Sequence, residues 1–295
     1  GTPVADMAFT AGLLGTTFDP AVPTGRLSAS TPQQVVNYLN KVREFETGNV
    51  GDAWRKRGLH LSGGTSQSEL TQFRIFVDEF KRVAQDRFWG ATVATISKRD
   101  PKPVEFINIS RQVNDGINLV TFFGHSSSNA TDIDIGFVTD PLLGYNNPGR
   151  YPVFLVNGCN AGSFFFGWNN FGEDWMLAPN RGARAFIAHS SFGFSGGLRG
   201  YSNLFYQIGF ADSTFVGRGV GDVQREVARQ YLQQFGTSLV NATQVQQMFL
   251  LGDPAVKLVG ATKPDLCVTD QDVSLQSLDG RLVTAQSDSF AIRVI

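Results

Sequence analysis

Short apolar runs rich in β-branched and aromatic residues alternate along this chain with capped amphipathic segments. That alternation constrains the fold more than any other feature. Strand-like runs cover residues 57–62, 91–97, 117–123, 153–156 and 183–190. Between them lie helix signals. Thr31, Pro32 and Gln34 form a capping box with proline at the first helical position, and Val35, Leu39, Val42 and Phe45 predict the buried stripe, ended by Gly48. Ser66 and Glu69 form a second box before Leu70, Phe73, Val77, Phe80 and Ala84. Helices are also predicted over 103–114, from Asn170 and Glu173, over 198–210 and over 219–234, and a last short strand after the Gly252-Asp253-Pro254 turn. Strands alternating with helices predict an α/β domain with a mostly parallel sheet covered on both faces.

The expected domain spans residues 1–262, with 1–30 as the tail of a preceding subdomain and 7–14 as a candidate strand. Near Pro264 the texture changes. Phe290, Ile292 and Val294 alternate with other residues, and Asp279-Gly280 marks a hairpin turn. Residues 263–295 therefore predict the truncated opening of an immunoglobulin-like, all-β domain.

Composition removes several classes of function. Net charge is −1 with no basic stripe, so no nucleic-acid partner is expected. No apolar run approaches the roughly 18 residues needed to cross a bilayer. The two cysteines, Cys159 and Cys267, are too few for a disulfide framework.

Two strand ends carry reactive groups. One run exits into Gly124-His125-Ser126 and another into Asn157-Gly158-Cys159-Asn160. Carboxyl ends of parallel strands face one crevice. If the two strands are neighbours, an imidazole and a thiol meet there, as the base and nucleophile of a cysteine hydrolase require. The Ser126 and Cys159 backbone N–H groups are then candidates for the oxyanion site. Gly124, Gly158, Asn160, His189 and Ser190 would line the cleft. Rival readings are a G-x-S-x-G elbow at Gly193–Gly197, in which Ser195 follows all three histidines in the chain, and a structural role for His60. Asp132-Ile133-Asp134 resembles half a calcium loop without the other ligands, so no metal site is assigned and no cofactor is required; a structural calcium stays an open option without a motif to carry it.

The chain resembles the gingipain-like cysteine peptidases, family C25, within the caspase-like folds. The likeness rests on Gly25-Arg26-Leu27-Ser28-Ala29 with Phe45-Glu46, Gly124-His125, Asn157-Gly158-Cys159 with Gly162, Glu173-Asp174-Trp175, Gly182-Ala183-Arg184-Ala185-Phe186, and Leu251-Gly252-Asp253-Pro254, in that order. It implies a caspase-like domain with His125 as general base and Cys159 as nucleophile, and secretion to the outer surface of a bacterium by the type IX route. The Ser127-Ser128 and Asp132–Gly136 context is similar to the PorU-like sortase branch. That implies removal of C-terminal signals from secreted cargo, with outer-membrane secretion subunits as partners. Two departures are visible. Ser126 replaces the usual glycine after the histidine, with a side chain expected to narrow the site. The loop matching the family's histidine-orienting acid reads Gly63-Gly64-Thr65-Ser66, without a carboxylate. Both features favour the alternative of an inactive scaffold that binds cargo tails.

Overall fold

The structure, a computed structural model, describes residues 5–164, 170–258, 273–277 and 290–294. It divides into two units, Gly1–Gly260 and Ala261–Ile295. The first contains α1 (Pro32–Thr47), β1 (Arg57–Ser62), α2 (Gln67–Gln85), β2 (Thr92–Ser97), β3 (Glu105–Phe106), α3 (Ser110–Asn114), β4 (Leu119–Phe123), β5 (Ile133–Asp134), β6 (Val153–Asn157), α4 (Phe171–Leu177), β7 (Ala185–His189), α5 (Ser195–Ala211), α6 (Val220–Phe235), α7 (Leu239–Gln246) and β8 (Met248–Leu251). Six strands form one sheet in the order β2-β1-β4-β6-β7-β8. All neighbours are parallel except β8, which runs antiparallel to β7. In the second unit, β9 (Val273–Ser277) pairs antiparallel with β10 (Phe290–Val294). The Asp279-Gly280 turn and Cys267 lie outside the described residues. No described helix is long and apolar enough to cross a membrane.

Strand side chains alternate between two cores. Leu119, Phe123, Val153, Leu155 and Ile187 pack with α2, α5 and α6. Val120, Phe122, Phe154, Val156 and Phe186 pack with α1, α3 and α4. A strand buried on both faces reads as a continuous apolar run, which is why these strands stand out in the sequence.

Local chemistry sets the helix starts. Thr31 and Asn170 each complete a full capping box. The buried face of α1 differs from the expected stripe: Tyr38, Lys41 and Phe45 are inside, whereas Val35 and Leu39 are exposed. The reason is polar. The Lys41 ammonium donates to the Met176 (2.5 Å) and Arg181 (3.2 Å) carbonyls, in the last turn of α4 and beyond it, which would otherwise lack a partner. Burial pulls the Lys41 pKa down to about 7, against Asp174 and Glu44.

Three further expectations are corrected. Residues 103–114 are not one helix: β3 precedes a helix of only five residues. The last strand lies before the Gly252-Asp253-Pro254 turn rather than after it. Residues 7–14 are not a strand: a 3-10 turn covers Asp6–Phe9.

His60 is structural, as its position inside β1 predicts. Nδ1 lies 2.9 Å from the Val77 carbonyl, which can only accept, so Nδ1 carries the hydrogen. Nε2 then accepts from the Tyr206 hydroxyl at 2.7 Å, and Tyr206 is in turn 2.7 Å from Thr121 Oγ1. Burial lowers the His60 pKa from 6.5 to about 3. Between those values the unfolded chain binds a proton that the native state refuses. Stability therefore falls as pH drops through this window, with a limiting slope of about 1.4 kcal/mol per pH unit. His60→Gln should remove up to one proton's worth of that slope, read from urea midpoints at pH 7 and pH 4.5. An unchanged slope would mean that His60 titrates alike in both states.

Candidate active site

The sheet grows in both directions from the β1–β4 pair, so a crevice opens outside the carboxyl ends of these strands. The registers Ser62↔Phe123 and Phe123↔Asn157 align β1, β4 and β6. Gly64, His125 and Cys159 thus each lie two residues beyond one paired row. The condition set by the sequence, that the histidine and cysteine strands be neighbours, is met.

The two loops are tied together. Ser126 Oγ donates to the Cys159 carbonyl at 2.7 Å. The Ser126 hydroxyl is therefore engaged in holding the loops together. Gly158 is needed for this tie, because a methyl group at that position would collide with Ser126 Oγ. Neither the Ser126 nor the Cys159 backbone N–H bonds to another described group, so both are free to act as donors.

Glu69, in the first turn of α2, places a carboxylate against His125. Its Oε1 lies 3.1 Å from His125 Nε2. Sequence reasoning placed Glu69 only in a capping box with Ser66. Half of that box forms, since Ser66 Oγ accepts the Glu69 N–H at 3.3 Å. The carboxylate instead takes the Thr65 N–H (2.8 Å) and Thr65 hydroxyl (2.9 Å) on Oε2, leaving Oε1 for the imidazole. Partial burial opposes the Glu69 charge, but the Thr65 amide, the His125 ring and the Thr65 hydroxyl outweigh it and hold its pKa at about 2. The signal was available in the topology: a helix following a parallel strand begins at the strand's carboxyl edge, so an acid in its first turn faces the same crevice as the other strand ends.

A carboxylate oxygen accepts only, so His125 Nε2 carries the hydrogen and Nδ1 is left as the basic nitrogen. The ring also rests against Phe73, with centroids 5.9 Å apart. His125 remains half-exposed and Cys159 is partly exposed, so a substrate can reach both.

Asp132 braces the crevice from below. It is buried. Its Oδ2 accepts the Gly64 N–H at 2.6 Å and lies 3.9 Å from Lys98 Nζ. Its backbone N–H donates to the His125 carbonyl at 2.8 Å. Burial raises the Asp132 pKa, against the Gly64 and His125 amides and Lys98. Gly63 and Gly124 let two strand ends close on this carboxylate, since a Cβ at either would strike it. No cluster of metal-ligating side chains occurs among the described residues.

The loop after β7 covers the cysteine. Asn160 adopts a left-handed φ of 58°, and its N–H donates to the Ser191 carbonyl at 2.8 Å. The Cys159 thiol donates to the Gly193 carbonyl at 3.7 Å. His189 and Ser190 are buried at the end of β7 and its exit. His189 Nδ1 lies 2.9 Å from the Ser191 carbonyl, and burial lowers its pKa against that bond. Ser195 opens α5 on the exposed surface.

Comparison with known proteins agrees with this architecture. The chain resembles the Arg-specific cysteine proteinase gingipain R (RgpB) at 16% identity and a TM-score of 0.73, over 92% of this chain and 62% of that one. It resembles the complex of Porphyromonas gingivalis RgpB pro- and mature domains at 18% identity and a TM-score of 0.72, over 99% and 74%. A structure described as a protease matches at 20% identity and a TM-score of 0.71, over 92% and 65%. The chain thus spans less than two thirds of the first of these. These likenesses show the caspase-like gingipain fold. No curated protein matches the chain. Residues 2–259 match the sequence model of peptidase family C25, and with nearly all of the first unit so matched, the chain belongs to that family.

Proposed function

We propose that this chain is a cysteine endopeptidase working through Cys159, His125 and Glu69. The observation that carries the reading is the 3.1 Å contact of Glu69 with His125 Nε2, at the end of the strand that pairs with the cysteine strand. His125 takes the thiol proton and the sulfur attacks the scissile carbonyl carbon. A C–S bond forms and the carbonyl oxygen becomes an oxyanion facing the Ser126 and Cys159 N–H groups. Collapse of this intermediate breaks the C–N bond, and imidazolium gives its proton to the departing amine. Water then cleaves the thioester. In the sortase-like form of the reaction, an amine on a surface anchor takes the place of water.

The substrate in this reading is the C-terminal region of secreted cargo, at the bacterial outer surface and beside outer-membrane secretion subunits. It rests on the PorU-like sequence context of residues 127–136. Both features that favoured an inactive scaffold now have other accounts: the Ser126 hydroxyl ties two loops, and the acid comes from α2.

A peptide carrying a thiol-directed electrophile at its scissile position tests the reading. Stoichiometric labelling at Cys159 in preference to Cys267 is expected, and unselective labelling would return the chain to the scaffold class. An added primary amine should divert thioester turnover into transfer product if the sortase form holds; hydrolysis alone would remove it. Glu69→Gln keeps an acceptor near Nε2 but removes its charge. It should lower kcat/KM about 10- to 100-fold, at the lower end of general acid–base contributions, with folding unchanged by circular dichroism. Wild-type kinetics in this variant would reduce Glu69 to a helix cap.

A further inference from the structure

The loop that covers Cys159 also builds a pocket. One edge of this loop binds the cysteine segment through the Ser191 and Gly193 carbonyls. The side chains flanking Gly193, Phe192 and Phe194, are 76% and 68% exposed. Facing them on α7 are Leu239 and Val240, also exposed. Between the two elements lies a cavity of about 220 Å³, with His189, Thr243, Gln244 and Gln247 completing its lining. Four large apolar side chains left open around one cavity are costly to keep in water, and such patches mark binding sites.

The lining has no Asp, Glu, Lys or Arg. His189 Nδ1 is held between the Ser191 carbonyl (2.9 Å) and the Ser191 N–H (3.3 Å), so the ring offers the pocket a polar Nε2. Gln244 is buried, and its Nε2 has no hydrogen-bond partner. The walls are thus apolar and the base is polar but uncharged. An arginine, lysine or carboxylate entering here would lose water without gaining an opposite charge.

We propose that this cavity receives the side chain of the residue whose carbonyl Cys159 attacks, and that this residue is large and uncharged: phenylalanine, tyrosine, leucine or methionine. The inference rests on Cys159 being the nucleophile. Gly193 supports it geometrically, because one residue touches the sulfur while its two neighbours form the pocket wall. The apolar lining sets this chain apart from a relative described as Arg-specific.

The test uses the full chain and a set of peptidyl acyloxymethyl ketones differing only in the residue next to the reactive group: Phe, Leu, Arg, Asp or Gly. Labelling of Cys159 is followed by intact mass. The Phe and Leu probes should react about 100-fold faster than the Arg and Asp probes, the scale expected when a charge must be buried unpaired. Val240→Glu and Leu239→Glu change exposed positions that the fold does not need. Each should slow the Phe probe and speed the Arg probe at least about tenfold. Equal rates for Arg and Phe, or an unaltered ranking in both variants, would overturn the pocket assignment while leaving Cys159 as nucleophile. If no probe labels Cys159 although iodoacetamide does, the nucleophile reading fails and the pocket assignment falls with it.

Discussion

Cys159→Ala should abolish turnover of any peptide the wild-type chain cleaves, by about 10⁴- to 10⁶-fold in kcat, the range seen when a covalent nucleophile is deleted. Two hydroxyls at this edge are already committed to carbonyls. Ser126 Oγ is committed to the Cys159 carbonyl, and Ser163 Oγ to the Ser190 carbonyl at 2.6 Å. The loss should leave stability nearly untouched. Cys159 is partly exposed, and its sulfur makes one long contact, 3.7 Å to the Gly193 carbonyl. Thermal midpoints of wild type and variant should therefore agree within about 2 °C, since a change of 1 kcal/mol moves a domain of 150–250 residues by roughly 2–4 °C. Cys159→Ser separates geometry from chemistry: the hydroxyl fits, but its proton is far harder to remove, so activity should stay at background. Residual turnover above about one percent in either variant contradicts a thiolate mechanism.

The second large effect is on folding. Asp132→Leu should destabilise the first unit by about 3–5 kcal/mol, the usual cost of removing one partner of a buried ion pair. Lys98 is fully buried. Its ammonium donates to the Gly64 carbonyl at 2.9 Å, to Pro103 at 3.2 Å and to Lys102, with Asp132 as the carboxylate beside it. The substitution leaves that cation without its anion and orphans the Gly64 N–H. Asp132→Asn keeps an acceptor of the same shape and should cost less. Urea denaturation of the two variants measures the difference. Activity should fall with stability in Asp132→Leu, because the same carboxylate joins the loop leading to Glu69 with the segment holding His125. Equal stability of the two variants would show that shape, and not charge, matters here.

Much of this architecture was legible because it is written locally. Capping side chains marked the starts of α1, α2 and α4, and strands buried on both faces stood out as apolar runs. Residues 103–114 were misread because the pairing that shapes them is distant: the Glu105 N–H donates to the Asp132 carbonyl at 2.9 Å. Helix α7 escaped notice because Leu239 and Val240 face outward, which erases the periodicity that identifies a packed helix. The direction of β8 depends on its partner across the sheet, which no local pattern encodes. At the site, strand ends and small residues exposed the histidine and cysteine. Glu69 was visible as a residue but not in this role, because its second contact crosses 56 positions of sequence.

The outer side of β8 is occupied. Arg26 pairs with Leu251, donating its N–H to the Leu250 carbonyl at 2.9 Å and accepting from the Gly252 N–H at 2.8 Å. The Arg26 guanidinium also grips Asp6 through two 2.6 Å bonds. A segment around Arg26 thus seals a rim made 225 residues later in the sequence. During synthesis this seam stays open until nearly the whole unit has emerged, so native structure locks late and in a single closing event. Deleting the residues before Ser28 would bare a strand margin able to recruit other chains.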